Sequence, residues 1–189
     1  IIMKQVAIEG KLFELYIGEK ELQARIRMLA EEIKEYYDGI YEEPIHIIVM
    51  MNGAFLFAAD LVRQLDFPLH MYFVKSSSYV GISSDGQVEF VLPEDLDIKN
   101  RRVLVIEDIV DTGITFQQFL SEVIEDHPKD LKICSLLVKN KNSEIKSRVN
   151  FVGFEIDDPF VIGYGMDFNG KARDFSDIYI LKEDEKYSS

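Results

Sequence analysis

Residues 103–116 read VLVIEDIVDTGITF. An apolar run meets two adjacent carboxylates, Glu107 and Asp108, and a third, Asp111, opens the turn Asp-Thr-Gly-Ile-Thr. Those residue types in that order suit a phosphorylated sugar. Gly113 lets the backbone approach an anion, and Thr112 and Thr115 supply hydroxyls. A helix starting at that point adds unpaired N–H groups and a positive dipole end. Asp111, Thr112, Gly113, Ile114 and Thr115 would together cradle one phosphate. Glu107 and Asp108 are then placed to meet ribose hydroxyls or a hydrated divalent cation. The sequence has neither the Gly-Lys-Ser/Thr grip for a triphosphate nor the Gly-x-Gly-x-x-Gly dinucleotide turn at this point.

Acidic residues number 34 of 189, so a local cluster of three is weak evidence by itself. Its place in the fold carries more weight. The apolar, β-branched run at 45–51 suits a strand buried on both faces, 101–108 reads as another buried strand, and 69–75 and 132–138 also read as strands. Further strands are expected at 87–92, 150–156, 160–165 and 177–181. Helical spacing of Leu22, Ile26, Leu29 and Ile33 predicts a helix over 19–39, stopped by Gly39; helices are also expected at 52–65 and 115–126. Strands alternating with helices predict an α/β domain around a mainly parallel sheet flanked by helices. In such sheets ligands bind beyond the carboxyl ends of the strands, where Glu107, Asp108 and Asp111 fall. The last third carries strands without helices between them and predicts a small appended subdomain. The serine-rich stretch 76–86 reads as a mobile loop, and 182–189 as a frayed, solvated tail. No linker divides residues 1–189, so one domain is expected.

Hydrophobic residues at 47% and charged residues at 29% are ordinary for a soluble globular domain. A net charge of −13 argues against general attraction to nucleic acid or to an anionic membrane, while leaving room for a small basic pocket. One cysteine, Cys134, allows no internal disulfide and fits a reducing cytoplasm; inside KICSLLV it reads as core. The opening IIMKQVAIEG lacks the basic and long apolar regions of a signal peptide. His46, His70 and His127 have no ligand-spaced partners and are assigned structural or surface places.

VIEDIVDTGIT resembles the phosphoribosyl-pyrophosphate (PRPP) motif of type I phosphoribosyltransferases. SLLVKN (135–140) and NFVGFEIDDPFVIGYGMDFNGKARDF (150–175) resemble the hypoxanthine-guanine members of that family. VMMNGAFLFAADL (49–61) and Ser78-Tyr79 also match, in the family's order. The resemblance implies the type I fold with a small hood subdomain built from the chain's N- and C-terminal parts. It implies transfer of 5-phosphoribosyl from PRPP to N9 of a 6-oxopurine, with Mg²⁺, in a homodimer or homotetramer.

By the same resemblance, Lys139 donates to the purine 6-oxygen, Phe160 stacks on the ring, and Val161 offers backbone groups to the purine edge beside Asp167. Asp111 faces N7 as general acid or base. Asp167 joins Glu107 and Asp108 around the metal, and Arg173 grips pyrophosphate with its fork. Ser78 and Tyr79 belong to a catalytic lid. Asn52-Gly53 forms a pyrophosphate-contacting turn in which many relatives carry a basic residue at the position of Asn52. Two rival readings are a transferase for xanthine or another base, and a PRPP or nucleotide sensor that lost the chemistry.

Overall fold

The computed structural model describes residues 4–39, 43–76, 90–111, 114–141 and 146–182, with Ser76, Ile114 and Thr115 described by backbone alone. Its core is a six-stranded sheet. The strands are β3 (Ile45–Met51), β4 (Leu69–Ser76), β5 (Phe90–Val91), β6 (Arg102–Val110), β7 (Asp130–Lys139) and β8 (Phe151–Ile156). They lie in the order β5-β4-β3-β6-β7-β8, parallel throughout except for β5. The α/β architecture expected from the alternating apolar runs is therefore present.

The sheet is apolar on both faces because helices cover both. Ile47 and Val49 of β3 point to one side, where they join Leu22, Ile26, Leu29 and Ile33 of α1 (Glu19–Tyr36) and Phe57 and Leu61 of α2 (Phe55–Val62). Ile48 and Met50 point to the other, against Phe116, Phe119, Leu120 and Val123 of α3 (Ile114–Glu125). Period-two alternation thus splits one continuous hydrophobic run between two cores. Cys134 is fully buried in the first of these, and burial pushes its thiol far above the ordinary range. His46 and His70 are register partners whose rings stack at 5.3 Å, which agrees with structural places for them.

A second, antiparallel sheet has the order β1-β2-β10-β9, from β1 (Gln5–Ile8), β2 (Lys11–Ile17), β9 (Val161–Ile162) and β10 (Ile178–Leu181). This is the expected hood. Its two N-terminal strands were not among the elements expected from apolar patterning. Only Phe13 and Ile17 of β2 are buried, so the strand lacks an unbroken alternation. The strand expected over 160–165 shrinks to two residues. Beyond it the chain turns through Gly163 and Gly165 at positive φ, and an isolated bridge pairs Gly163 with Met166.

Asp177 fastens the hood to α1. The helix has no side-chain cap from its own Gly18; instead Asp177 Oδ1 accepts the Glu19 N–H at 2.8 Å, while Oδ2 takes Lys4. Tyr164 adds a second tie, donating to Asp60 of α2 at 2.5 Å, where Gln23 of α1 also donates at 2.7 Å. Burial raises the Asp177 carboxyl, but Lys4 and the Glu19 N–H outweigh it and leave the group below its ordinary 3.8. Asp177→Ala is expected to cost about 0.5–2 kcal/mol in urea denaturation at neutral pH. Because the folded value is lowered, that contribution is complete above 3.8 and fades as pH falls through the lower folded value. The gap between variant and wild type should close below that pH, and a gap that stays constant would show that the ionised carboxylate is not responsible.

Candidate functional site

Four segments converge beyond the carboxyl ends of the central strands. After β3 comes the turn Asn52–Gly53, entered through a cis Met51–Asn52 peptide. Strand β6 runs on to Val110, two residues further than the expected strand. Glu107 and Asp108 therefore lie in its last turns of pleat, and Asp111 is the first residue beyond it. Helix α3 begins at Ile114, so residues 111–113 are the whole strand-to-helix connection. Thr112 and Gly113 lie outside the described residues, as do the side chains of Ile114 and Thr115. Lys139 ends β7, and the hood contributes Phe160, Val161, Asp167 and Arg173.

A cavity of about 300 Å³ collects most of the residues singled out from sequence. Asn52, Gly53, Asp108, Asp111 and Lys139 line it from the core; Phe160, Val161, Asp167 and Arg173 line it from the hood. Phe160 remains 47% exposed, with its inner side on Phe13 and Phe168 at 6.4 and 5.8 Å. A ring held on one side and open on the other is built to stack against a flat partner. An adjoining space of about 630 Å³ shares Asn52, Phe160, Asp167 and Arg173. Ser78 and Tyr79, and with them most of the proposed lid, lie outside the described residues.

The polar end of the smaller cavity is a four-charge cluster. Lys139 is only 8% exposed, and its ammonium meets Asp111 Oδ2 at 2.9 Å and Asp158 Oδ1 at 2.7 Å. Lys141 lies 2.9 Å from Asp158 and 2.8 Å from Asp111 Oδ1, the latter a charge contact outside hydrogen-bonding angles. Burial pushes the Asp111 carboxyl up. Lys141 and Lys139 more than offset this and hold it below its ordinary value. Two lysines facing two carboxylates compensate one another, which offsets the cost of burying the Lys139 side chain almost completely. Asp158 and Lys141 were not singled out from sequence. Asp158 belongs to the adjacent acids of FEIDDPF, and Lys141 sits two residues past Lys139, but only folding brings them together.

On the hood side, Arg173 reaches Asp167 Oδ1 at 2.7 Å and donates to the Gly165 carbonyl at 2.6 Å. Asp167 Oδ2 accepts the Gly170 N–H at 2.6 Å, so both carboxylate oxygens are engaged, each with a lone pair to spare.

The described residues contain no group of three or more side chains able to cage a metal ion. Glu107 nonetheless sits beside Asp108, whose N–H it accepts at 3.1 Å; burial and that neighbouring carboxylate push it well above the ordinary range. A partly satisfied carboxylate pair of this kind fits Mg²⁺, which prefers one or two carboxylates plus ligand phosphates and water to an all-protein cage.

A phosphoribosyl transferase domain model matches residues 14–169. The hypoxanthine-guanine phosphoribosyltransferase of Aquifex aeolicus is 36% identical over 177 residues, covering 93% of this chain and 98% of that protein. The hypoxanthine-guanine-xanthine phosphoribosyltransferase of Tritrichomonas foetus is 35% identical over 182 residues, covering 96% of this chain and 98% of that protein. Among solved structures, a hypoxanthine-guanine phosphoribosyltransferase from Bacillus anthracis matches with a TM-score of 0.79 at 33% identity, over 89% of this chain and 98% of that one.

If the two lysines hold Asp111 in its ionised form, Lys141→Met should raise the Asp111 titration midpoint, read by carboxyl ¹³C NMR. An unmoved midpoint would mean that Lys139 alone sets it.

Proposed function

We propose that this chain, which belongs to the phosphoribosyl transferase family, moves 5-phosphoribosyl from PRPP to N9 of hypoxanthine or guanine, releasing pyrophosphate and leaving IMP or GMP. One observation carries this reading. Lys139, Phe160, Val161 and Asp167, the four residues matched to purine contacts, share one cavity with Asp111, the first residue of the strand-to-helix connection matched to the phosphate.

In the proposed complex, the 5′-phosphate lies in the turn from Asp111 to Thr115, on the N–H groups at the start of α3. The base slides between Phe160 and the core. Lys139 donates to its 6-oxygen, Val161 meets its edge through the backbone, and Asp167 lies beyond. As the bond from the anomeric carbon to the pyrophosphate oxygen lengthens, the ring gains oxocarbenium character and N9 closes on it. The proton leaving the base passes from N7 to Asp111, which the neighbouring ammoniums keep ready to accept it. Glu107 and Asp108 face the ribose hydroxyls and the developing positive charge.

Glu107, Asp108 and Asp167 would hold Mg²⁺, which when bound neutralises and orients the pyrophosphate. Arg173, already oriented by Asp167, offers its fork to the same phosphates. Ser78 and Tyr79 are assigned to a lid that excludes water while PRPP is bound.

The reading includes a homodimer or homotetramer, which would cover exposed apolar side chains such as Phe55 and Phe73. It also includes a cytoplasmic place. No helix among the described residues is long and apolar enough to cross a membrane.

The direct test is to supply PRPP, Mg²⁺ and each purine in turn and to measure nucleotide. Product with hypoxanthine or guanine is expected. Product with xanthine alone, or none with any base, would transfer the case to the rival transferase or to the sensor. Asp111→Asn should lower kcat by about 10²–10⁴-fold with folding largely intact, and unchanged turnover would remove it from proton transfer. Lys139→Ala should weaken rejection of adenine relative to hypoxanthine; unchanged discrimination would take the 6-oxygen contact away from Lys139.

A further inference from the structure

We propose that Lys75, on the strand neighbouring the Asn52–Gly53 turn, is a binding residue for the diphosphate of the donor and for the released pyrophosphate. The proposal rests on the phosphoribosyl-transfer reading above and adds a residue that the sequence motifs do not contain.

Lys75 is the penultimate residue of β4, and its register partner on β3 is Met51, the residue before Asn52. Adjacent strands lie about 4.8 Å apart, so the Lys75 stem rises beside the start of the turn. Its side chain lines the larger cavity together with Asn52, Asp167 and Arg173. Asn52 brings no charge to that space. Arg173 brings one, and Asp167 cancels it at 2.7 Å.

The Lys75 ammonium makes no ion pair or hydrogen bond with the described residues. Among the described lysines and arginines lining the two cavities, it alone has no carboxylate partner: Lys139 is held by Asp111 and Asp158, and Arg173 by Asp167. In a chain of net charge −13, a solvated lysine left unpaired at a cavity wall turns an otherwise neutral space positive. A diphosphate is the group of the proposed reaction with enough charge to use it. Lysine suits the place because a compact ammonium on a flexible stem can follow phosphate oxygens as the diphosphate changes from substituent to free ion.

The test combines calorimetric titration of inorganic pyrophosphate, in the presence of Mg²⁺, with steady-state kinetics in PRPP. Lys75→Met should weaken pyrophosphate binding and raise the KM for PRPP, each by roughly 10–100-fold, as expected for loss of one charged hydrogen bond. kcat should change by less than about twofold, because a contact made equally before and during bond breaking acts on KM. Lys75→Arg should restore most of the affinity. Adding Asn52→Lys to Lys75→Met should also restore it, which a packing role would not permit.

Pyrophosphate affinity and KM unchanged in Lys75→Met would overturn the proposal, as would a fall in kcat alone. A wild type that binds pyrophosphate in a Lys75-dependent way but forms no nucleotide would leave this inference standing and remove the reading beneath it.

Discussion

The site is built around a place where no β-carbon fits. One added to Gly53 would collide with the Asp108 carboxylate, and one added to Gly165 would collide with the Gly53 carbonyl oxygen. Gly165 also sits at φ +98°, a conformation that other residues adopt only under strain. The turn after β3 is thus clasped between the Asp108 side chain of β6 and the hood backbone at Gly165. A side chain at Gly165 would push the hood away from the turn, and one at Gly53 would push the turn away from Asp108. With the hood seated here, Asp167, Arg173 and Phe160 line one cavity with Asp108, Asp111 and Lys139. Tyr164 on Asp60 and Asp177 on the start of α1 hold the same seat from outside the cavity.

Much of this was legible in the sequence, and unevenly so. The central strands announce themselves because they are buried on both faces: IHIIVMM has no polar alternation to confuse, and β3 follows its bounds to the residue. The carboxylates near the end of β6 were also legible, since an apolar run meeting Glu-Asp ahead of a helix leaves few places for a ligand, although the strand itself continues to Val110. The hood was less so. Its strands are short, the N-terminal ones mostly exposed, and its two halves pair through β2 and β10, more than 150 residues apart, as in Phe13 with Leu181. Local patterning cannot register a partner at that distance. The same limit hid Asp158 and Lys141, whose charges matter only because β7 and the loop after β8 end side by side. Lys75 was hidden differently, as the ordinary last lysine of a strand, until register placed it next to the turn.

An acidic chain with an anion site meets a problem that these contacts resolve. Carboxylates near a phosphate oppose its binding unless cations stand between them, and here they stand in specific pairs. Asp167 is matched by Arg173, and Asp111 and Asp158 by Lys139 and Lys141. Glu107 and Asp108 have no such ammonium in the described contacts, and Glu107 answers by holding its proton more tightly. That difference divides the site by charge. Where the base is expected, the protein supplies its own cations. Where the diphosphate is expected, Arg173 and Lys75 stand beside carboxylates that a divalent ion can satisfy.

Paired charges also explain why the base end can be ready before any base arrives. A lone buried ammonium would be costly and would shed its proton or swing towards water. Lys139, held from two sides, keeps its direction at the cavity wall, so little would have to be reorganised if a 6-oxygen approached. A base lacking that oxygen would set a hydrogen-bond donor of its own against the ammonium. The four-charge cluster therefore does two things with one arrangement: its ammoniums hold the Asp111 carboxyl below its ordinary value, and its carboxylates fix the Lys139 ammonium at the cavity wall. Removing either carboxylate would disturb both, because each is a partner of both lysines.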